Sequence, residues 1–238
     1  MGLFKKRKTV GTTEGRSNTN QTMGTANGSN NTDSRKIVRD RITFPRGSVY
    51  EGEFYVDEEG REMLHGYGRL TMPDGDVYEG GWKDDLKSGK GKYTGTDGTS
   101  YDGEWKEGKM HGFGIMVYPD GGRYEGEWVE GFECGHGIYD DTDGTRYEGE
   151  WENGKENGYG VEDDPELGRY EGNWSDGFEN GHGIMKYLDG DIYEGEWAEG
   201  FENGHGVMEY VEGDSYDGEW KDGKRHGSGT YTYANGEI

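Results

Sequence analysis

Apolar and polar residues alternate along most of the chain, in short bursts. In Tyr101-Asp-Gly-Glu-Trp105 two rings enclose a glycine, and acids fill the positions between. A period of two puts Tyr101, Gly103 and Trp105 on one face of a β-strand and Asp102 and Glu104 on the other. A second burst follows in Gly112-Phe-Gly-Ile-Met116, with Glu107-Gly108 before it and Asp120-Gly121 after it. Such acidic-Gly pairs supply the positive φ that tight β-turns need. The unit predicted is a β-hairpin, and no segment shows the 3.6-residue period of a helix.

The unit recurs. Tyr-acidic-Gly-x-aromatic pentads begin at Tyr50, Tyr78, Tyr101, Tyr124, Tyr147, Tyr170, Tyr193 and Tyr216; the first gap is 28 residues and every later one is 23. The fifth residue is Phe54, then Trp82, Trp105, Trp128, Trp151, Trp174, Trp197 and Trp220, so all seven tryptophans hold one repeat position. With each tyrosine as position 0, glycines fall at +11 and +13, a usually apolar residue at +15, and turn pairs at +6/+7 and +19/+20. The two glycines and +15 are expected on the ring face, so that rings lie over bare backbone of a neighbouring strand. Burying one Trp gains about 5 kcal/mol, whereas ordering each residue costs ~1–2 kcal/mol, so copies must stack and share faces. Sixteen hairpin strands at ~4.8 Å give a ribbon about 75 Å long.

Arg41–Tyr50 aligns with Arg69–Tyr78, so residues 39–49 read as a single leading strand. The extra residues around 56–61 are expected to lengthen one turn without shifting the strands. The fold class predicted is all-β: a ribbon of stacked β-hairpins over 39–238, behind a disordered, basic Asn/Ser/Thr/Gly-rich tail over 1–38.

Charge divides the chain in the same place. Residues 1–45 hold nine Lys/Arg and three Asp/Glu, net +6; the remainder holds 17 against 47, net −30. An acidic body of this kind repels nucleic acid and anionic lipid, leaving the N-terminal arm as the lipid-facing candidate. Met1-Gly2 resembles a myristoylation start, with Lys6 where Ser or Thr is expected, and Lys5, Lys6, Arg7 and Lys8 form a basic patch suited to anionic membrane or nuclear import. The lone Cys134 excludes an internal disulfide and fits a reducing compartment.

The pattern Y-E-G-E-W-x-x-G-K-x-x-G-x-G, closed by an Asx-Gly turn and shown most fully by Tyr216–Gly236, resembles the MORN (membrane occupation and recognition nexus) repeat. The resemblance covers 39–238 in register. It implies an elongated single-layer antiparallel sheet (a β-hairpin solenoid), twisted into a trough with aromatics along one side, and an adaptor role, as in junctophilins, radial-spoke proteins and parasite division-ring scaffolds. MORN arrays also precede catalytic domains in phosphatidylinositol-phosphate kinases, so a regulatory half of such an enzyme is an alternative.

Other chemistry is weak. Gly-x-Gly recurs at +11/+13, but a dinucleotide fingerprint needs a βαβ unit. His65, His111 and His226 precede the first glycine; His136, His182 and His205 sit between the glycines and accompany Phe132, Phe178 and Phe201 at +8. Phe and His packing across one turn is the plain reading, ahead of zinc. No calcium loop and no nucleophile with a placed base appears. The expectation is a non-enzymatic scaffold without metal, cofactor or catalytic residues, cytoplasmic, and associated with membrane or cytoskeleton. The candidate interaction or structural aromatics are Tyr78/Trp82, Tyr101/Trp105, Tyr124/Trp128, Tyr147/Trp151, Tyr170/Trp174, Tyr193/Trp197 and Tyr216/Trp220, the protein partner being bound where such rings line an exposed trough. Self-association through the terminal strand, anionic-lipid tethering through Gly2 and Lys5–Lys8, and no contact with nucleic acid complete the expectation.

Overall fold

A computed structural model describes residues 35–238; most of the tail, with Gly2, Lys5, Lys6, Arg7 and Lys8, lies outside the described residues. Seventeen strands form one antiparallel sheet, without helices, in which each strand pairs with the next in sequence. The first is the leading strand Val38–Thr43 (β1), paired with Val49–Val56 (β2). Eight hairpins follow, the first made by β2 with Glu62–Thr71 (β3), the next by Val77–Lys83 (β4) with Leu86–Thr94 (β5), and the third by Ser100–Lys106 (β6) with Lys109–Val117 (β7).

The two turns of each repeat differ. At +6/+7 both residues have positive φ, as in Glu107 (52°) and Gly108 (83°), the signature of a two-residue type I′ hairpin. The +7 glycine also donates its N–H to the +9 carbonyl of the preceding repeat, as Gly131 does to Met110 at 3.0 Å, so neighbouring turns are tied together. At +19/+20 only the glycine has positive φ (Gly121, 98°); its N–H bonds to Tyr118 C=O at 2.9 Å, and Tyr118 N–H bonds to Gly122 C=O at 2.8 Å. That is a type I turn closed by a glycine bulge.

The second strand of each hairpin carries a bulge beside the +3 residue. In β6–β7, Gly103 faces Gly114 while Glu104 faces His111, leaving Gly112 and Phe113 as extra residues. This corrects the expectation that +11 shares the ring face. Gly112 has φ +59°, and a Cβ there would meet the Glu104 carboxylate on the opposite face, 2.6 Å away. The +11 glycine therefore serves the bulge, and only the +13 glycine serves the rings.

The residues inserted near 56–61 also behave differently from expectation. Part of the insertion extends the strands, with Val56 facing Glu62, and the turn over Asp57–Arg61 becomes a type I turn with a glycine bulge. Tyr55 is buried in the extension and donates its OH to Asp84 at 2.9 Å.

Candidate functional site

Each pentad tyrosine lies flat on the sheet. A Cβ on Gly103 or on its cross-strand partner Gly114 would fall 2.4–2.6 Å from the Tyr101 ring or hydroxyl, so two bare glycines form the ring's seat. The hydroxyl donates to the carbonyl of the +3 residue (Tyr101 to Glu104, 3.0 Å), next to the bulge that opens the ladder there. Each tryptophan reaches back one repeat and donates Nε1–H to a +13 glycine carbonyl: Trp105 to Gly91 at 3.0 Å, Trp220 to Gly206 at 3.0 Å.

These seats bring the rings into one continuous ladder. Trp128 stands edge-to-face between Tyr101 (5.3 Å) and Tyr124 (5.2 Å), and the pattern repeats from Tyr50 to Trp220. Edge-to-face pairs add about 0.5–1.5 kcal/mol each beyond area burial. These candidates line no exposed trough: Tyr78, Trp82, Tyr101, Trp105, Tyr124, Trp128, Tyr147, Trp151, Tyr170, Trp174, Tyr193, Trp197, Tyr216 and Trp220 are all buried, none more than 8% exposed. A single layer achieves this because glycine lets each ring sink to the backbone and the next repeat's ring closes its edge. These side chains form the core.

Position +9 lies beside each tryptophan on the ring face. Lys87 holds its Nζ 4.4 Å from the Trp105 centroid and 4.8 Å from that of Tyr78, and Arg225 lies over Tyr216 and Tyr231. Burial lowers the Lys87 pKa to about 8, with Asp76 opposing. Four consecutive repeats carry glutamate instead: Glu133, Glu156, Glu179 and Glu202. Burial raises the Glu133 pKa although Tyr118 donates its hydroxyl to it, and Glu202 accepts from Tyr187 at 2.5 Å.

Two of the three histidines between the glycines lie beside acids. His136 Nε2 lies 3.9 Å from Glu148 and His205 Nε2 3.1 Å from Asp217, both acids of the following repeat. Phe132 and Phe201 lean instead toward the turn glycine of the next repeat, 4.0 Å and 3.6 Å from where a Cβ on Gly154 or Gly223 would stand. Lysine at the same position bridges to the next turn's acid, Lys109 to Glu130 at 2.6 Å and Lys155 to Asp176 at 2.9 Å. Position +8 therefore links neighbouring hairpin ends.

The outer face carries a pattern that sequence reading missed. Positions +1 and +14 face each other across every strand pair. In the early repeats the line alternates acid with base: Glu51, Arg69, Glu79, Lys92 and Asp102. From Ile115 it alternates acid with Ile or Val through Val207. The signal was present as the change at +14 from Arg69 and Lys92 to Ile115 and Ile138, but its meaning needs the register. A shallow hollow of about 390 Å³ opens on this face, bordered by His136, Glu148, Tyr159 and Val161, with Arg146 and Arg169 at its rim.

A family model for the MORN repeat matches residues 63–77, 78–100, 101–123, 124–146, 147–167, 170–192, 193–215 and 216–238. No curated protein matches the sequence. Among solved structures, the wild-type TCP10 domain of Danio rerio CPAP in complex with a peptide of Danio rerio STIL is 16% identical, over 82% of this chain and 99% of that one, with a TM-score of 0.36. The Drosophila melanogaster SAS-4 (dCPAP) TCP domain, in complex with a proline-rich motif of Ana2 (dSTIL), is 13% identical over 82% and 96%, with a TM-score of 0.26. At these TM-scores the likeness carries no argument about this chain.

Proposed function

The chain belongs to the MORN repeat family, and on that premise we propose that it is a non-enzymatic scaffold that holds a protein partner along its sheet. The observation that carries this reading is the single layer: the described strands satisfy their own ring face and leave a broad outer face of acids and half-buried aliphatics with no second layer over it. Successive hairpins brace such a surface, because from Asp85 onward the +7 residue of each hairpin turn is bonded to the second strand of the preceding repeat. The lone, half-buried Cys134 fits a cytoplasmic location for the scaffold.

The test is cross-linking capture with the full chain, followed by binding of the captured protein, purified, to the purified chain. A saturable complex of fixed stoichiometry is expected; absence of any protein that rebinds in purified form would sink the scaffold reading. The charge division favours one second reading, in which the basic N-terminal stretch with Gly2 and Lys5–Lys8 attaches the scaffold to anionic membrane. Co-sedimentation of the full chain with phosphatidylserine vesicles should then disappear when residues 1–34 are removed, and binding that survives the removal would refute it.

A further inference from the structure

We propose that the outer face of the later repeats docks an amphipathic α-helix of the partner, bearing Lys or Arg and lying across the strands. This rests on the scaffold reading and adds to it the face used and the chemistry of what it holds.

In the line Ile138, Glu148, Val161, Glu171, Ile184, Glu194, each residue stands directly opposite the next. The four-carbon and three-carbon side chains are half-buried between exposed carboxylates. Earlier in the array the bases stand across the strand from the acids, with Arg41 3.7 Å from Glu51 and Arg69 4.0 Å from Glu79, whereas the bases near Glu148 stand beside the line, Arg146 at 3.7 Å on the same strand and His136 at 3.9 Å. In the later repeats the cross-strand base is replaced by an aliphatic residue on both sides of each acid. Glu194, for example, has Ile184 and Val207 as its cross-strand neighbours. These aliphatics join no core, since the rings lie on the other face. The surface thus combines apolar contact with acids, Glu171 and Glu194 above all, that have aliphatics rather than bases across both strands, and its complement is a segment carrying both bases and apolar residues.

Spacing selects the conformation of that segment. The line steps from acid to aliphatic once per strand, ~4.8 Å. One turn of α-helix rises about 5.4 Å, so side chains at i, i+3/i+4 and i+7 meet acid, aliphatic and acid in order. Same-face residues of an extended strand recur every ~6.8 Å and fall out of step within two rungs. Over five rungs the helix gains only about 3 Å on the sheet. The net charge of −24 steers a basic helix toward the face and turns away nucleic acid and anionic vesicles.

The probe is a labelled helical peptide of about four heptads, with Lys every seventh residue and Leu midway between on an Ala/Gln background; a second peptide carries Glu in place of each Lys. Each is titrated with the full chain by fluorescence anisotropy at low and at physiological salt. The Lys peptide should bind saturably and weaken with salt. The E171K/E194K chain, and separately Ile184→Asp, should each lose about tenfold or more in affinity, whereas Glu212→Lys, the same kind of charge change at an exposed turn, should not. Near-UV circular dichroism of the ring ladder verifies that the variants are folded. No saturable binding, equal affinity of the outer-face variants, equal binding of the Glu peptide, or preference for RNA would overturn the proposal. If a partner found by cross-linking binds E171K/E194K as tightly as the parent chain, this surface assignment falls while the scaffold reading stands.

Discussion

Gly181 and Gly183 stand two residues apart and are glycine for unrelated reasons. Gly183 has an ordinary backbone, but a Cβ on it would fall 2.3–2.5 Å from the Tyr170 ring. Gly183→Val must therefore expel that ring, and a loss of about 3 kcal/mol or more in urea unfolding is expected; an unchanged midpoint would refute the seating of rings on glycine. Gly181 has room, its nearest neighbour being Asn173 at 3.5 Å, but φ is +74°. Gly181→Ala should cost only the left-handed strain, about 1–2 kcal/mol, and Gly181→Asn less than Gly181→Ala. Lys87 makes a residue-scale prediction of opposite sign. Its pKa is about 8 in the fold against 10.5 unfolded, so between those values the unfolded chain binds more protons and stability rises with pH. Tyrosines such as Tyr50, raised to about 12, reverse the trend above pH 10, because there the unfolded chain releases protons first. Unfolding at pH 7.5 and pH 9.5 should show the rise in the parent chain and a flatter profile in Lys87→Met; a rise of equal size in both would exclude Lys87 as its source.

At the scale of the hairpin, the +6/+7 turn asks its first residue for a conformation that glutamate adopts reluctantly. Glu199 has φ +50°, where Asn is tolerated better. Glu199→Asn should raise stability by about 0.5 kcal/mol, read as a higher melting temperature; a fall would mean that the side chain has a role beyond the turn. These turns were legible in sequence because acidic-Gly pairs name their own conformation. Alternation likewise gave the faces of Tyr101, Gly103 and Trp105, the spacing of the pentads gave the stacked hairpins, and the resemblance to the MORN repeat implied the single layer. The bulge was not legible: Gly112-Phe-Gly114 reads as continued alternation, and only the pairing of Glu104 with His111 shows that two residues are looped out. The exposed trough was expected wrongly for a related reason. Alternation tells which face a side chain takes, whereas its exposure depends on the neighbouring repeat, and Trp128 is closed by Tyr101 as much as by Tyr124. The outer line is the extreme case, since Ile138 and Glu148 become neighbours only through the register.

For the whole array, what each repeat needs is a neighbour in register, and any neighbour of the family pattern will serve. Deleting residues 126–148 removes 23 residues and joins Glu125 to Gly149, so the seam reads Tyr124-Glu-Gly-Glu-Trp and restores the pentad. Tyr124 then meets Trp151 as its own-strand partner, Gly149 takes the place of Gly126 beneath the ring, and every later hairpin keeps its contacts. Deleting residues 126–147 removes 22 and joins Glu125 to Glu148. The strand then carries one extra residue between Tyr124 and Gly149, so the ring and the glycine that should seat it point to opposite faces, and Trp151 leaves the ladder. The 23-residue deletion is expected to give a folded sheet that loses only a few degrees in melting temperature, as nearest-neighbour coupling requires. The 22-residue deletion, although it removes less chain, is expected to break the ladder at the seam. Near-UV circular dichroism together with hydrogen exchange across the seam distinguishes the two. Equal stability of the deletions would mean that the sheet tolerates a register slip, and that the ring ladder is not what aligns one hairpin with the next.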